Sequence, residues 1–515
     1  MHLATAFTIP LLRWPWLFAL CMTHLRPWSH RSRGDSSLPS LAASSVSRQW
    51  QETIAGCSRI QYQLELWKAG FVCGLPSSMP TVEKRQALAK HQRAWRRLEW
   101  RSKTAVKLPA LLRTYAAHAL VAGIFAFQEN GPNIYTLPLQ EDSRVTKHVL
   151  EVDPGTSVLL TMDPTQDLLA VAYYPVHGSG SLTLAFRSLS VNQPHPMARH
   201  PTIPVGSDDE EELEILMADD VVGIAFADPG IIRVWNWRTG ALLADVEVDT
   251  DRPDFQFISP RAFVTACRVD SGCIDIFMIT PEKGPNSEGA VHVARLWFPE
   301  AERADGESLW EPSAIGVRSG PLFLPRKRKP HLPLRIPTGI SRGENWMRLM
   351  VHHRTLAGYV SRYVRQSGTD CIDLEWEDWG PRNTRVLPGD ELDGFPTAHG
   401  ERVVILGVDH EDRPRLEVLN FGVIPGDDQS EDESHTLVLG QSTIRGAPFE
   451  DPVTTYLPFR RTVRAIDADF ESVLMDQEHI IVENQSPFEW TNRLLYDLGI
   501  SRYCAVPQMH VRWYS

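Results

Sequence analysis

From about Tyr115 to its end, the sequence alternates short apolar runs with short polar turns. Pairs such as "LLAVAYYP" with "SLTLAFRSLS", or "VVGIAFA" with "IIRVWNW", are rich in β-branched and aromatic residues and are joined by turns that carry Gly, Asp or Pro. Each pair predicts a β-hairpin. Several spacings between successive turn centres fall in the forties or low fifties, the centres lying near Asn130, His177, Pro229, Ser271, Gly368, Asp412 and Gln477.

A unit of that length holds four short strands and is typical of a β-propeller blade. The run "IIRVWNW" has large apolar residues on both faces of its strand, with Ile232 and Val234 on one face and Ile231, Trp235 and Trp237 on the other. A strand packed between two neighbouring sheets requires this pattern. Thr239-Gly240 is predicted to form the turn into an outer strand. The sequence therefore predicts a mainly β fold, a WD-repeat-like β-propeller of about seven blades, preceded by a small α-helical segment.

The repeat is interrupted between Thr280 and Trp346, where "PRKRKPHLPLRIP" is predicted to be a proline-rich basic loop. Part of it, "PRKRKP", also fits a nuclear localisation patch. The acidic runs "SDDEEELEI" and "GDDQSEDES" are predicted to be solvated loops, with docking sites for a basic ligand as the alternative.

Two helices are predicted before the β region. The first follows Ser47 and stops at Gly70. The second begins at Thr81 as its N-cap and is predicted to face inward through three apolar residues, Leu88, Trp95 and Leu98.

The chain is predicted to have three parts. Residues 1–46 mix proline, tryptophan, serine and arginine without a stable period, and we expect them to be poorly ordered. Residues 47–112 form a helical linker, and residues 113–515 form the β-propeller-like domain.

The charge is divided unevenly along the chain. Residues 1–113 hold 17 Lys and Arg against 5 Asp and Glu, although the whole chain has a formal net charge of −12. An acidic body repels nucleic-acid phosphates, so no nucleic-acid partner is predicted. The basic head is interpreted as a solvated helical face, with docking onto an acidic partner or nucleic acid as alternatives.

Candidate chemistry is sparse. The seven cysteines show no CxxC spacing, as expected of reduced thiols in an intracellular protein of the cytoplasm or nucleus. The apolar run "TAFTIPLLRWPWLFALCM" is interrupted by Arg13 and two prolines, so no membrane span is predicted and a signal peptide is the alternative. Nucleophile-elbow, phosphate-loop, zinc-helix and dinucleotide motifs are absent from the sequence, which favours a protein without catalytic, cofactor or metal residues.

Two chemical alternatives stay open. His352, His353 and Cys371 could ligate zinc, although packing is the favoured interpretation. A propeller hydrolase would need acids converging in one pocket, which sequence spacing cannot reveal.

Several segments resemble the basidiomycete fungal F-box proteins that have a β-propeller-like C-terminal region. The resemblance rests on "CSRIQYQLELWKAGF", "HQRAWRRLEW", "IIRVWNWRTGALL" and "SVLMDQEHIIVEN", in that order. It implies an F-box that docks on the Skp adaptor of a cullin ubiquitin ligase, with adaptor-binding residues Leu38, Pro39, Val46 and Trp50. Only about ten residues separate Leu38-Pro39 from "VSRQW", so this F-box resembles a truncated or degenerate one.

The leading hypothesis is a non-enzymatic substrate-recognition subunit of a Skp-cullin-F-box ubiquitin ligase. Its expected partners are the Skp adaptor and a substrate protein, which loops on a rigid scaffold would select. The alternative is a WD-repeat-type scaffold without a ligase link.

Overall fold

A computed structural model describes residues 55–497 except for a number of intervening segments. The segments of seven residues or more that it does not describe are 108–117, 151–157, 281–288, 301–322, 337–346, 389–396, 424–434 and 484–491. The chain divides into two compact units, Met1–Leu64 and Glu65–Ser515. The described residues include four α-helices, namely α1 (Ser58–Lys68), α2 (Thr81–Arg97), α3 (His353–Arg365) and α4 (Trp376–Asn383).

Most of the described residues lie in strands. Up to residue 300 these are β1 (Phe71–Cys73), β2 (Ser102–Lys107), β3 (His118–Val121), β4 (Ile124–Gln128), β5 (Asn133–Pro138), β6 (Thr146–Val149), β7 (Leu159–Asp163), β8 (Leu168–Tyr173), β9 (Thr183–Ser188), β10 (Thr202–Pro204), β11 (Glu211–Ala218), β12 (Val221–Ala227), β13 (Ile231–Asn236), β14 (Leu242–Glu247), β15 (Asp254–Ser259), β16 (Ala262–Cys267), β17 (Cys273–Ile279) and β18 (Ala290–Trp297).

After residue 300 the strands are shorter and less regular in order. They are β19 (Phe323–Pro325), β20 (His331–Ile336), β21 (Met347–His352), β22 (Ile372–Leu374), β23 (Thr384–Pro388), β24 (Thr397–His399), β25 (Arg402–Val408), β26 (Pro414–Asn420), β27 (His435–Val438), β28 (Ser442–Ile444), β29 (Val453–Thr455), β30 (Phe459–Ala465), β31 (Ser472–Met475), β32 (His479–Glu483) and β33 (Asn492–Asp497).

Five of the sheets have the four-stranded antiparallel order of a propeller blade. Blades 1, 2 and 3 are β3–β6, β7–β10 and β11–β14, and blade 4 is β15–β18 with β22 added at its edge. Blade 5 consists of β31, β32 and β33, and β2 supplies its fourth strand. Between blades 4 and 5 lie a three-stranded sheet, β20–β21–β23, and a five-stranded sheet in the order β24–β25–β26–β30–β27.

The core of the second unit lies between neighbouring sheets, as β8 of blade 2 shows. Leu169 and Val171 belong to a buried cluster shared with blade 1, whereas Leu168 and Ala170 belong to a cluster shared with blade 3. Because side chains alternate across a strand, each blade uses one face for each neighbour. No blade can therefore bury its apolar residues alone.

Strand β13 confirms the two-faced packing predicted from "IIRVWNW". Trp235 and Trp237 are buried in the cluster shared with blade 2, and Ile232 and Val234 are buried in the cluster shared with blade 4. The Thr239-Gly240 turn into β14 is also confirmed, with Gly240 at a φ of 74°. Glycine adopts this left-handed backbone without the strain that a side chain would add.

Contacts between blades 1 and 5 close the ring of sheets. Phe125 and Phe127 of β4 pack in one buried cluster with Ile481 of β32. The Gly123 amide donates a hydrogen bond of 2.5 Å to the Asp476 carboxylate. Since β2 also pairs in register with β33, chain segments from both ends of the unit build blade 5. The predicted boundaries of residues 1–46, 47–112 and 113–515 stay a prediction.

The blade number differs from the prediction, since the described residues form five blades and not about seven. Six of the seven predicted turn centres fall within hairpins, but Gly368 lies between α3 and β22. Gln477 joins the first two strands of its blade, whereas the earlier centres join the second and third. The turn spacing overestimated the number of blades because Gly368 is not in a hairpin and because the hairpin at Asp412 belongs to the five-stranded sheet.

Two segments predicted to be loops contain strands. The run "HLPLRI" forms β20, which is an edge strand of its sheet. Proline has no backbone N–H to donate, and Pro333 is tolerated here because an edge strand has no second neighbouring strand to bond. Glu211 and the residues that follow it form β11, the first strand of blade 3. The helices α3 and α4 lie inside the region predicted to be β-sheet.

Helix α2 agrees closely with its prediction. Leu88, Trp95 and Leu98 are buried, as predicted. Thr81 is the first helical residue and Pro80 is the N-cap, so the predicted cap position was wrong by one residue. Helix α1 ends at Lys68, two residues before the predicted stop at Gly70.

Candidate protein-binding face

One face of the ring carries the turns that join the first and second strands of each blade. Successive strands of a blade run in opposite directions, so the connection between the third and fourth strands emerges on this same face. We call it the first-turn face. In blades 2 to 4 its turns are Pro164–Asp167, Asp219–Asp220 and Pro260–Arg261.

The longest described connection on this face joins β9 to β10 and spans residues 189–201, here called the β9–β10 loop. Asp167 holds its start, because the carboxylate accepts hydrogen bonds from the hydroxyl of Ser188 and from the amide and hydroxyl of Ser190, the latter two at 2.8 and 2.9 Å. Asp167 itself has a φ of 54°, a left-handed turn position that aspartate tolerates. The start of the loop is thereby fixed to blade 2.

Two further side chains fix the middle of the β9–β10 loop. The Arg187 guanidinium donates to the side chain and backbone oxygens of Asn192, at 2.8 and 3.0 Å. His195 is buried, with Nε2 3.0 Å from the backbone oxygen of Gln166. The loop therefore holds one conformation by contacts along its length.

Trp237 connects this loop to blade 3. Its indole N–H donates to the backbone oxygen of Asp219 at 2.9 Å, and the His195 ring lies perpendicular to the indole with 4.8 Å between ring centroids. The guanidinium of Arg238 lies 5.1 Å from the same indole and donates to Gln166 at 2.8 Å. Loop, turn and blade are thus joined through one buried aromatic ring.

A charged pair extends the connection to blade 4. The guanidinium of Arg261 donates two hydrogen bonds to the carboxylate of Asp220, at 2.8 and 2.6 Å. This bidentate contact lowers the pKa of Asp220 below its ordinary value. Asn236 also donates to Asp220 at 2.8 Å. The first-turn face of blades 2, 3 and 4 is therefore a continuous hydrogen-bonded surface.

This rigid surface exposes two large apolar side chains on one loop. Val191 is 54% exposed and Met197 is 57% exposed, and both belong to the β9–β10 loop. A partner that covers them meets a loop already held in place, so little conformational entropy is lost on binding. Methionine also adapts to differently shaped partners. The arrangement suits recognition of a protein surface.

Asp409, His352 and His353 have structural roles in the turns and helices that contain them. Asp409 accepts hydrogen bonds from the amides of Glu411 and Arg413 at 2.8 and 3.0 Å and so caps a turn. His352 is the N-cap of α3, and His353 lies 2.6 Å from the backbone oxygen of Ile258. Within the described ranges, no group of three or more His, Cys, Asp or Glu residues could hold a metal ion.

The predicted adaptor-binding residues Leu38, Pro39, Val46 and Trp50 lie outside the described residues. The β9–β10 loop was not identified from sequence, because its run "VNQPHPMARH" has no hairpin period. A methionine among prolines and histidines was the available signal. No α-helix in the described part of the chain has the length and apolar character to cross a membrane.

Comparisons with known proteins add little to this picture. No protein-family model matches the chain, and no curated protein matches it. Among solved structures, the WD40 domain of SCAP from fission yeast is 9% identical with a TM-score of 0.37, covering 75% of this chain and 83% of that one. The WD40 β-propeller domain of Doa1 is 11% identical with a TM-score of 0.35, covering 80% and 100%.

A third similar structure is Hsv2 of Kluyveromyces lactis, which is 7% identical with a TM-score of 0.38 and covers 74% of this chain and 98% of that one. Likenesses at these scores carry no argument about function. The propeller architecture rests on the strand order and the packing of the chain itself.

Proposed function

We propose that this chain is a non-enzymatic protein-interaction propeller that binds its partner through the first-turn face of blades 2 to 4. The observation that carries the proposal is the β9–β10 loop, which is held by Asp167 and Trp237 contacts and exposes Val191 and Met197. A preorganised surface with adaptable apolar side chains favours protein recognition over small-molecule chemistry.

The finer proposal is that the chain acts as a substrate-recognition subunit of a Skp-cullin-F-box ubiquitin ligase in the cytoplasm or nucleus. Leu38, Pro39, Val46 and Trp50 would contact the Skp adaptor, and the first-turn face would select the substrate. The similarity of four sequence segments to fungal F-box proteins supports this role. Ubiquitin transfer itself would be performed by other subunits.

The alternative is a scaffold with no ligase link. It is favoured by the short interval between Leu38-Pro39 and Trp50, because an F-box needs about three helices to present an apolar face to its adaptor. Both proposals use the same face of the propeller and differ in the role of Leu38, Pro39, Val46 and Trp50.

Partner capture with matched surface variants tests the binding face. The double variant Val191→Glu/Met197→Glu places charges on exposed positions and should leave folding unchanged. We expect partners crosslinked to the wild-type chain in cells to be lost from this variant and retained by Val149→Glu, a control on β6 that is 50% exposed. Equal capture by both variants would contradict the proposed face.

Direct binding of purified Skp adaptor to the full-length chain separates the two roles. The ligase proposal predicts a complex that the quadruple variant Leu38→Ala/Pro39→Ala/Val46→Glu/Trp50→Ala no longer forms. The scaffold proposal predicts no complex with either chain, while partner capture through the β9–β10 loop persists.

A further inference from the structure

An exposed thiol and a histidine lie side by side at the outer edge of blade 4. Cys371 directly precedes β22, and the parallel pairing of β22 with β18 brings its sulfur within 3.6 Å of Nδ1 of His292. Cys371 is exposed, so a reagent can reach its sulfur. These residues are 79 positions apart in the sequence, and the sheet alone brings them together.

A buried carboxylate orients the histidine from its other side. Nε2 of His292 lies 3.0 Å from Oδ1 of Asp275, and Asp275 also accepts two hydrogen bonds of 2.8 Å from the Arg295 guanidinium. The imidazole stacks on the Phe277 ring, with 5.0 Å between centroids. Because the carboxylate accepts from Nε2–H, the neutral ring presents its Nδ1 lone pair to the thiol.

We propose that Cys371, His292 and Asp275 form a reactive thiol site that is covalently modified by electrophilic α,β-unsaturated carbonyl compounds. The geometry is that of a nucleophile, a base and a group that orients the base. No catalytic turnover is implied, since the product stays attached to the chain.

The addition balances without an oxidant or a leaving group. The thiol proton of Cys371 moves to Nδ1 of His292, and the sulfur electron pair forms a bond to the β-carbon of the electrophile. The carbon–carbon π bond breaks, and its electrons pass to the α-carbon, which takes the proton back from His292. Asp275 stabilises the imidazolium that exists between these two transfers.

Two carboxylates near the Cys371 thiol disfavour its ionisation, so the thiol needs His292 as a base in order to react. Partial burial of the thiol first, and then the carboxylates of Asp275 and Asp373, raise the pKa of the Cys371 thiol, and the nearby Arg295 offsets only part of this rise. Asp373 is held in place by a hydrogen bond of 2.7 Å from the Trp297 indole. At neutral pH the thiol therefore stays protonated at rest, and its reactivity depends on transfer of the proton to His292.

Labelling of the full-length chain with N-ethylmaleimide, followed by peptide mapping, tests the proposal. At pH 7 we expect Cys371 to react faster than the same cysteine in urea-unfolded chain, and His292→Asn to slow it about tenfold or more. Cys57, which is half-buried, serves as the internal reference thiol, and its rate should not change.

The pH dependence of the wild-type rate provides a second test that needs no variant. An unassisted thiol loses about tenfold in rate for each pH unit below its pKa, whereas the rate of a thiol that passes its proton to His292 during the addition depends less steeply on pH. A wild-type rate that falls tenfold per unit from pH 8 to pH 7, or a His292→Asn rate equal to that of the folded wild type, would overturn the proposal.

Discussion

His91 is a buried side chain through which helix α2 contacts the ring of sheets. It lies on α2 with Nε2 2.9 Å from the backbone oxygen of Gln477, and the Trp95 indole donates to the same oxygen at 3.0 Å. Burial first, and then the neighbouring Arg402 guanidinium, lowers the pKa of His91 to about 3. The folded chain therefore holds this imidazole in its neutral form over most of the acidic range.

That lowered pKa gives stability a pH dependence with a definite sign. Below about pH 6.5 the unfolded chain binds a proton at His91 that the folded chain does not bind until about pH 3. The free energy of unfolding therefore falls as the pH drops through this window, by up to about 1.4 kcal/mol per pH unit from this group.

The variant His91→Gln removes the titrating group and keeps a donor for the Gln477 oxygen. We expect its free energy of unfolding, measured in urea, to fall less than that of wild type between pH 7 and pH 4.5. An identical fall in the two chains would show that His91 is not held neutral in the folded state.

Strand β12 illustrates packing at the level of an element. Gly223 lies opposite β15 of blade 4, where a Cβ would come within 2.8 Å of the Phe255 ring and 3.1 Å of the Phe257 ring. The two rings meet edge-on and are buried, so neither can move aside. Because Gly223 has no side chain, blades 3 and 4 can approach each other closely at this point.

Gly223→Ala is therefore expected to lower the free energy of unfolding by about 1–3 kcal/mol, the usual cost of overpacking a core. The matched control is Gly407→Ala on β25, whose Cβ would meet only Arg415 at an ordinary 3.6 Å. We expect the control to be unchanged or slightly more stable, since alanine restricts the unfolded chain. Equal losses in urea unfolding would contradict the packing of β12 against β15.

The sequence predicted elements whose pattern is local and missed those that depend on distant partners. Helix α2 and the two faces of β13 were found because Trp95 and Trp235 repeat the period of their own element. Helix α3 was missed although Leu356, Tyr359 and Tyr363 have helical spacing, because the surrounding strands set the expectation.

The candidate sites depended still more on contacts that no local pattern encodes. Met197 is exposed on an ordered loop only because Asp167 and Gln166, in a different turn, hold that loop. Cys371 was considered as a zinc ligand with His352 and His353, whereas the histidine beside it, His292, belongs to another strand of the sheet. Pairings of this kind follow from sheet order, which the turn spacing left undetermined.

At the scale of the whole second unit, the sheets form a closed ring. Each blade shares a buried cluster with each neighbouring sheet, and an open arrangement would expose the outer faces of the first and last sheets. Closure depends on β2, which precedes blade 1 in the chain and yet completes blade 5. The face proposed for partner binding is rigid only if this ring exists.

Disulfide trapping between β2 and β33 tests closure most directly. The register places Ala105 opposite Leu494 and Val106 opposite Arg493, at the Cα separation that a disulfide spans. The control pair Lys103→Cys/Asn492→Cys lies four residues out of register, about 13 Å apart along the strands.

We predict that Ala105→Cys/Leu494→Cys or Val106→Cys/Arg493→Cys forms an intramolecular disulfide in the folded chain, identified by peptide mapping, and that the control pair does not. Absence of both in-register disulfides, or equal crosslinking of the control, would contradict a ring completed by β2.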